Sequence, residues 1–407
     1  MGEIKISNIN KNNNSIKINF ETTIPVYFRE NYFEAIYNFE TSKIPDSIAV
    51  IPLIVNILPI VWLTNSKLRL TELDEDFFYS INEFKQGYID MYPMIDFGGE
   101  VVVEKLIKNN NSNSSKVALF FSGGVDAFSS LLGIKDKNPD LITIWGSDVA
   151  TTNVKAWEKV EKHIKKTSED FQLNYHIIQS NFRTFIYESV LDQLVINSGD
   201  GYWHGFQHGI GLIGLAAPLV FKKQIKEIYI ASSYTEELYH TCASAPTIDN
   251  YIRFCGCSVI HYQYELSRQD KIKKICTESD SLKNHVSLRV CWESCNGDNC
   301  CSCEKCYRTI SGIWAEGKNP NDYGFAINSD FYKKIINDLT KKIVMSDIVT
   351  GYWKEIQEAF ISNSDIIKEK KFRKWICKVN MDTFAYEKQN NPSIWKKGKR
   401  YLKRLIK

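Results

Sequence analysis

Five residues in the middle of the chain have the types and spacing of a phosphate-binding loop. Ser122-Gly123-Gly124-Val125-Asp126 directly follows the apolar run 117–121, and apolar residues at helical spacing come after it. This pattern predicts a strand, a tight loop and a helix. Two glycines allow backbone angles that other residues rarely adopt, and the helix N-terminus supplies free N–H groups at the positive end of its dipole. The loop therefore suits a pyrophosphate, and a plain glycine turn is the alternative.

A second group of residues suited to chemistry is a cysteine cluster between positions 291 and 306. Six of the eleven cysteines lie there, in the sequence CWESCNGDNCCSCEKC. Clustered cysteines in a chain without a secretory signal favour metal thiolates over disulfides. Zinc takes four thiolates in a tetrahedron, and such a closed site is structural because no coordination position stays open. The choice of ligands stays open, since Cys295 and Cys301 are alternatives, and an iron–sulfur cluster would also use thiolates.

Together the two motifs resemble those of a known enzyme family. Ser-Gly-Gly-x-Asp after a buried strand resembles the PP-loop signature of N-type ATP pyrophosphatases, and its glycine spacing fits neither a Walker A loop nor a Rossmann fingerprint. The spacing Cys-x8-Cys-x2-Cys-x2-Cys resembles the zinc motif of 7-cyano-7-deazaguanine synthases, the QueC family. It is met by Cys291, Cys300, Cys303 and Cys306. The motifs occur in the family's order, and the resemblance covers residues 116–312.

The resemblance implies how the loop would hold ATP. The loop hydroxyl and the glycine amides would bind the β,γ-pyrophosphate, and Asp126 would bind Mg²⁺. The family usually has Ser or Thr after this Asp, whereas the chain has Ala127, so Ser129 or Ser130 would supply the missing hydroxyl. Asp148 lies just after the second predicted strand, where it could contact ribose or substrate. The ATP-binding residues implied in this way are Ser122, Gly123, Gly124, Val125, Asp126, Ser129 and Asp148.

A basic segment adds candidate catalytic residues. The family places a lysine near the phosphates at the start of a helix, where this chain has Ser267-Arg268-Gln269-Asp270-Lys271. The resemblance implies that Lys271 is the candidate for that role, with Arg268 as a helper and Asp126 as the metal ligand. A solvated basic helix start is the alternative.

Four residues are candidates for the substrate pocket. His204 and His208 are four apart and would share one face of a helix. They could bind a second metal, recognise substrate or move protons, and satisfied polar residues near a helix start are the alternative. Asp249 and Arg253 lie roughly where members of the family recognise their substrate, although the local sequence differs.

The resemblance implies an ATP pyrophosphatase that acts as an AMP-forming carbon–nitrogen ligase. ATP would adenylate a carboxylate, a deazaguanine-like acid, with release of pyrophosphate, and ammonia or an amine would then give an amide or a nitrile. Fixed amides, Mg²⁺ and a lysine would meet the charge that develops on the phosphates. The small molecules and ions implied are therefore ATP, Mg²⁺ and Zn²⁺.

The chain has additional residues on both sides of the region that resembles the family, and these residues are compatible with other functions. Enlarged QueC-like proteins are associated with antiphage defence operons, where a deazaguanine would be attached to a protein acceptor or operon partner. Others resemble PP-loop enzymes that amidate sugars. A tRNA-thiolating enzyme would use the extra cysteines, although tRNA is the less favoured partner. A degenerate nucleotide-binding scaffold is supported only by Ala127.

The elements that must position these residues alternate between strands and helices from about residue 113 onward. Apolar runs at 117–121, 141–145, 175–178, 228–231 and 259–261 are candidate strands, and helical periodicity recurs at 154–164 and 182–190. This alternation predicts an α/β fold with a doubly wound parallel sheet of five strands, like that of the HUP-type nucleotide-binding domains. The N-terminal part has strand-like runs at 4–6, 16–20 and 101–103. We therefore expect an N-terminal α+β accessory domain (1–112), a PP-loop domain with the zinc loop (113–318) and a helical, basic C-terminal region (319–407).

Composition excludes several other classes of protein. The chain of 407 residues is 43% hydrophobic, as in folded proteins, and its formal charge of +3 does not indicate nucleic-acid binding. The basic segment 396–407 is the exception. The N-terminus lacks the apolar core of a secretory signal, and the apolar run 48–63 is short for a membrane helix and contains two prolines. We therefore expect a cytoplasmic protein without a transmembrane segment, which could form an oligomer.

Overall fold

The computed structural model describes residues 1–109, 114–280, 286–294 and 296–390. These residues form two compact units. The first consists of residues 1–121, 134–232 and 241–263, and the second consists of residues 122–133, 233–240 and those from 264 onward.

The first unit is built on one mixed sheet, which has eleven strands among the described residues. In chain order they are β1 (Glu3–Asn12), β2 (Ser15–Thr22), β3 (Tyr32–Ile36), β4 (Lys67–Asp74), β5 (Glu100–Ile107), β6 (Lys116–Phe120), β7 (Asp140–Trp145), β8 (Tyr175–Ser180), β9 (Ile225–Ala231), β10 (Arg253–Phe254) and β11 (Cys257–Tyr262).

Five neighbouring strands of this sheet are parallel, in the order β11-β9-β6-β7-β8. They coincide with the five apolar runs of the sequence, so these strand predictions are confirmed. In open α/β sheets, ligands bind outside the carboxyl ends of the strands where the strand order reverses. That reversal lies between β6 and β9, and the chain continues from β6 towards the loop that begins at Ser122.

The predicted sheet of five strands is too small. Strand β3 pairs with β8 in antiparallel fashion, and β2, β1, β4 and β5 extend the sheet beyond it. The physical reason lies at the edge of β8, whose backbone groups would otherwise stay unpaired. The Ser180 hydroxyl donates to the Glu34 carbonyl at 2.7 Å, and the Asn181 side chain accepts from the Glu34 N–H at 2.8 Å.

The α-helices of the described residues are α1 (Asp46–Ala49), α2 (Ile51–Leu63), α3 (Glu75–Met91), α4 (Val125–Ile134), α5 (Val154–Phe171), α6 (Glu188–Leu194), α7 (His208–Leu215), α8 (Ala217–Lys223), α9 (Pro246–Asp249), α10 (Arg268–Ser279), α11 (Glu304–Ala315), α12 (Phe331–Lys341), α13 (Asp347–Ser362), α14 (Lys370–Ile376) and α15 (Met381–Asn390).

The apolar run near the N-terminus forms α1 and α2, which are buried in the first unit. Asn56 lies inside this apolar helix, and its side-chain amide donates to the Pro52 carbonyl at 2.8 Å. Its oxygen accepts from Gln207 Nε2, also at 2.8 Å. A polar side chain with both ends paired can lie in a protein core at little cost. None of the described helices combines the length and the apolar character that a membrane crossing requires.

One predicted helix starts later than the sequence pattern indicates. The apolar periodicity at 182–190 yields a helix only from Glu188. Phe185 is buried by aromatic contacts with Phe20, Phe28 and Phe33, and its carbonyl accepts hydrogen bonds from residues 29 and 30. Contacts to residues distant in sequence therefore override the local helical preference here.

The second unit is largely helical, and the prediction of helices after residue 319 is confirmed by α12 to α15. The basic segment 396–407 lies outside the described residues, as does part of the Asn/Ser-rich boundary at residues 110–113. The division into three domains stays a prediction.

Candidate functional site

Within the second unit, the loop Ser122–Asp126 leads into helix α4. Gly123 has a φ of +79°, a left-handed backbone conformation that favours glycine. The Phe128 N–H donates to the Gly124 carbonyl at 2.9 Å, and the Arg289 N–H donates to the Gly123 carbonyl at 2.7 Å. The loop is therefore held from both sides at the start of a ten-residue helix. Such an arrangement can bind an anion through backbone N–H groups.

The second glycine of the loop is not required by the packing of the protein. A Cβ added at Gly124 would lie 3.4 Å from Ser122 Oγ and 3.7 Å from the Arg289 carbonyl oxygen. Both are ordinary van der Waals separations, and the φ of Gly124 is not positive. A ligand that approaches the main chain closely would, by contrast, need a glycine there.

As a test of the ATP site predicted from the sequence, we expect Gly124→Ala to lower pyrophosphate release from ATP by about 100-fold, since a methyl group would displace bound phosphates by roughly 1 Å. The melting temperature should stay close to that of the unchanged protein. Gly123→Ala is the matched variant, and it should lower the melting temperature because a non-glycine residue is strained at positive φ. Initial rates and thermal unfolding measure both effects. An unchanged rate in Gly124→Ala would favour the plain-turn interpretation.

Asp126 lies near the start of α4 and is enclosed by cationic side chains of the same unit. Arg268 Nη1 is 2.9 Å from Asp126 Oδ2, and Lys271 Nζ is 3.5 Å from Asp126 Oδ1. Both cations belong to α10, whose start is fixed by a capping box between Ser267 and Asp270. The structure thus brings together the three residues that the sequence suggests for catalysis.

The electrostatics of this cluster favour anion binding. Burial raises the pKa of Asp126, but four nearby cations lower it by more, so it lies below its ordinary value. Burial also lowers the pKa of Lys271, and Asp126 only partly opposes this. Several cations therefore surround one carboxylate, and their combined field attracts negative charge. The four cations are Arg268, Lys271, Lys305 and Arg308.

Two of these cations were not identified from the sequence. Lys305 and Arg308 belong to α11, which follows the cysteine cluster directly. The Arg308 guanidinium lies 4.3 Å from the ring centre of Tyr352, and Arg308 Nη1 is 3.4 Å from Glu304 Oε2. The feature of the sequence that could have identified them is their spacing, because residues three apart share one face of a helix.

Two buried oxygen atoms of α4 have no hydrogen-bond partner among the described residues. These atoms are Asp126 Oδ1 and Ser130 Oγ. A carboxylate oxygen with unused lone pairs suits Mg²⁺, which prefers oxygen ligands. Ser129 is also buried, but it already has an interaction partner. Ser130 is therefore better suited than Ser129 to replace the hydroxyl that is missing at Ala127.

The cysteine cluster forms a four-sulfur group that could bind a metal ion such as zinc. The Sγ atoms of Cys291, Cys300, Cys303 and Cys306 all lie within 4.8 Å of one another. The Cys291–Cys303 distance is 3.8 Å and the Cys300–Cys306 distance is 3.9 Å. Zinc–sulfur bonds of about 2.3 Å in a tetrahedron would place the sulfurs about 3.8 Å apart. The spacing of the sulfurs therefore fits zinc.

The backbone around the cluster supports these four ligands. The Ser302 N–H donates to Cys300 Sγ at 3.3 Å, and the Cys306 N–H donates to Cys303 Sγ at 3.4 Å. Such hydrogen bonds orient metal-binding sulfurs. Cys301 is buried, but its sulfur is not part of the group. The other alternative ligand, Cys295, lies outside the described residues.

No protein-family model, curated protein or solved structure matches this chain. The resemblance to PP-loop enzymes therefore stays a prediction from the loop, the basic residues and the cysteine spacing of the sequence.

The predicted substrate residues all lie in the first unit. His204 belongs to a π-helix (Trp203–Gln207), and His208 starts the following helix α7. Asp249 ends α9, and Arg253 starts β10, where it forms an ion pair with Glu83. Asp148, predicted to bind ATP, is exposed in the turn after β7.

Two of these residues belong to histidine–carboxylate pairs. His204 Nδ1 lies 2.9 and 3.1 Å from the two carboxylate oxygens of Asp200. Asp249 is fully buried, and its Oδ2 lies 2.8 Å from His261 Nδ1. Across the described ranges, the four-cysteine group is the one set of three or more potential metal ligands that lie this close together. A second metal at His204 and His208 stays a prediction.

Proposed function

We propose that the second unit binds ATP with Mg²⁺ and splits it into AMP and pyrophosphate. The observation that carries this proposal is the combination at the start of α4: a glycine loop whose second glycine has no packing role, followed by a carboxylate among four cations. Phosphates are the ligands that such a combination of backbone N–H groups and cations binds best.

In this proposal each residue has a separate task. Backbone N–H groups of the loop and of the first turn of α4 donate to the pyrophosphate oxygens. The cations Arg268, Lys271 and Arg308 neutralise the charge that develops on the leaving pyrophosphate. Asp126 would hold Mg²⁺ through Oδ1, which lies 3.5 Å from Lys271 Nζ and accepts no hydrogen bond from the described residues. Bound Mg²⁺ would supply further positive charge for the phosphates.

The cysteine cluster has a structural task in the same proposal. Its four sulfurs would fill the coordination sphere of zinc, so no position remains for a substrate. Cys303 is the N-cap residue of α11, and Lys305 and Arg308 follow within its first turns. A metal bound to this cluster therefore fixes the start of the helix that carries two of the four cations.

For the complete reaction we propose a QueC-like carbon–nitrogen ligase. It adenylates a carboxylate such as a deazaguanine-like acid and transfers nitrogen from ammonia or from an amine on a larger acceptor. The support is the order and spacing of the two motifs, together with the grouping of Asp126, Arg268 and Lys271.

The test is an exchange reaction that requires an adenylate. The protein is incubated with ATP, Mg²⁺, labelled pyrophosphate and 7-carboxy-7-deazaguanine. We expect label to enter ATP only when the acid is present, and AMP and pyrophosphate to accumulate once ammonium is added. Formation of ADP and phosphate would contradict AMP-forming chemistry. Exchange that depends on an acid other than the deazaguanine would retain adenylation and reject the QueC-like substrate.

A further inference from the structure

A cysteine of the first unit lies beside the histidine–carboxylate pair formed by His204 and Asp200. Cys242 is on the segment between β9 and α9, far in sequence from the π-helix that carries His204. The Ala243 N–H donates to the His204 carbonyl at 2.9 Å, which joins the two segments. A Cβ added at Gly209 would lie 2.4 Å from the Ala243 carbonyl oxygen, so only glycine permits this approach. The fold thus brings Cys242 and His204 together at a tightly packed crossing.

The orientation of the His204 ring is fixed by Asp200. Both carboxylate oxygens of Asp200 contact His204 Nδ1, which leaves Nε2 as the ring nitrogen available to another group. The carboxylate is itself held, because its Oδ2 accepts from the Tyr92 hydroxyl and from Thr241 Oγ1, each at 3.1 Å. A histidine oriented by a fixed carboxylate is the arrangement that activates nucleophilic side chains in enzymes.

The thiol of Cys242 hydrogen-bonds to the imidazoles of both His204 and His208. The Ser244 N–H also donates to Cys242 Sγ at 3.4 Å. Each of these contacts stabilises a thiolate more than a thiol. His208 Nδ1 is buried and has no hydrogen-bond partner in the described part of the chain. That nitrogen therefore has hydrogen-bonding capacity that the described residues leave unused.

The charges in this group follow from the geometry. Burial raises the pKa of Cys242, but the hydrogen bonds from His204 and His208 lower it to about 6. Burial lowers the pKa of His204, but Asp200 and Cys242 raise it to about 10. Between these two values the pair is a thiolate and an imidazolium. The other titratable groups nearby are Tyr88, Tyr92 and the Asp249–His261 pair, and burial raises the pKa of both tyrosines, so they stay neutral.

Other buried cysteines of the chain behave in the opposite way. Burial raises the pKa of Cys257 well above its ordinary value and that of Cys276 to about 12. The largest influences on these two thiols do not include a histidine. The low value at Cys242 is therefore specific to its two histidines, and Cys257, in the same unit, serves as an internal reference.

We propose that Cys242, His204 and Asp200 form a second active site, which transfers acyl groups through a thioester on Cys242. The Cys242 thiolate attacks the carbonyl carbon of an ester or amide, and the bond from that carbon to the leaving oxygen or nitrogen breaks. The His204 imidazolium gives its proton to the leaving group. Water or an amine, held at His208, then attacks the thioester and gives its proton to His204, which restores the thiolate and releases the acyl product.

The surroundings select uncharged acyl groups. The carboxylates of Asp200 and Asp249 are both near Cys242. Asp200 contacts His204, and Ser244 donates through its hydroxyl to Asp249 Oδ2 at 2.7 Å and through its N–H to Cys242 Sγ. A negatively charged acyl donor such as an acyl phosphate would be repelled by these groups. We therefore assign neutral esters and amides to this site. The assignment does not depend on the ATP chemistry of the second unit.

The first test compares the reactivity of the thiols. The native protein is treated with iodoacetamide, and alkylation of each cysteine is followed by peptide mass spectrometry. At pH 7 we expect Cys242 to react at least about 100-fold faster than Cys257, because only a thiolate is nucleophilic. The rate at Cys242 should rise as the pH passes about 6 and then level off. Asp200→Asn should move this rise to higher pH, and His204→Gln should move it further.

The second test detects the thioester itself. Incubation with p-nitrophenyl acetate, a neutral ester, should place one acetyl group on Cys242 and release it again on addition of an amine. Cys242→Ala should abolish this turnover, whereas Cys257→Ala should retain it. The assay contains no ATP, which separates this site from the proposed ATP chemistry. Reactivity of Cys242 no greater than that of Cys257, or acetylation unaffected by Asp200→Asn and His204→Gln, would overturn the proposal.

Discussion

Replacing Asp126 by asparagine is expected to lower acid-dependent pyrophosphate exchange by at least about 100-fold, because Asp126 is the proposed Mg²⁺ ligand and the only carboxylate of α4 among the described residues. The amide side chain keeps the shape of the carboxylate but not its charge. Arg268 and Lys271 would then lose their counter-charge, which costs about 3–5 kcal/mol when one partner of a buried ion pair is removed. Rates must therefore be measured well below the melting temperature of the variant.

A matched control separates lost chemistry from lost stability. Asp338, in the same unit, is buried and is paired with Lys342 at 2.8 Å and with the Tyr307 hydroxyl at 2.6 Å. We expect Asp338→Asn to lower the melting temperature while the exchange rate stays within about twofold, since it lies outside the loop and the basic cluster. Equal loss of activity in the two variants would contradict the role assigned to Asp126.

Removal of metal from the cysteine cluster should unfold much of the second unit. Structural zinc contributes about 10–16 kcal/mol to folding in small domains, which matches or exceeds the roughly 5–15 kcal/mol that stabilises a whole domain. We expect about one zinc per chain by elemental analysis, and a loss of near-ultraviolet circular dichroism on treatment with a strong chelator. Cys306→Ser should have the same effect as the chelator, because this sulfur is fully buried.

Cys301→Ser is the control for this prediction. Cys301 is adjacent in sequence and also buried, but its sulfur lies outside the four-sulfur group. It should keep its zinc and lose no more than about 1–2 kcal/mol of stability. Two outcomes would reject the assignment: full zinc content in Cys306→Ser, or bound iron with a visible chromophore in the purified protein.

The sequence predicted well those features that are encoded within a few neighbouring residues. The strand before Ser122 and the helix after Asp126 follow from local hydrophobic periodicity, and the helix start at Arg268 follows from its capping residue Ser267. The same holds for the four-sulfur group, because the spacing of its cysteines limits the geometry of the loop.

What the sequence did not reveal depends on contacts between distant segments. Nothing near Cys242 in the sequence indicates that Asp200 and His204 orient it, and single cysteines are ordinary core residues. The pairing of β3 with β8 has no local signal either, so the sheet was predicted too small. The helical spacing of Lys305 and Arg308 could have indicated that they lie on one face. The adjacent cysteines, however, had already been interpreted as the function of that segment.

The pairing of β3 with β8 also has a consequence for protein synthesis. Ser180 and Glu34, which hold these strands together, are 146 positions apart in the chain. At about 5–20 residues per second, roughly 7–30 s pass between translation of the one and of the other. During this time the edge of β3 that later pairs with β8 has no partner strand, and it can pair with other nascent chains. Slower elongation before residue 180 should therefore lower the yield of folded protein, and a chaperone that covers strand edges should restore it.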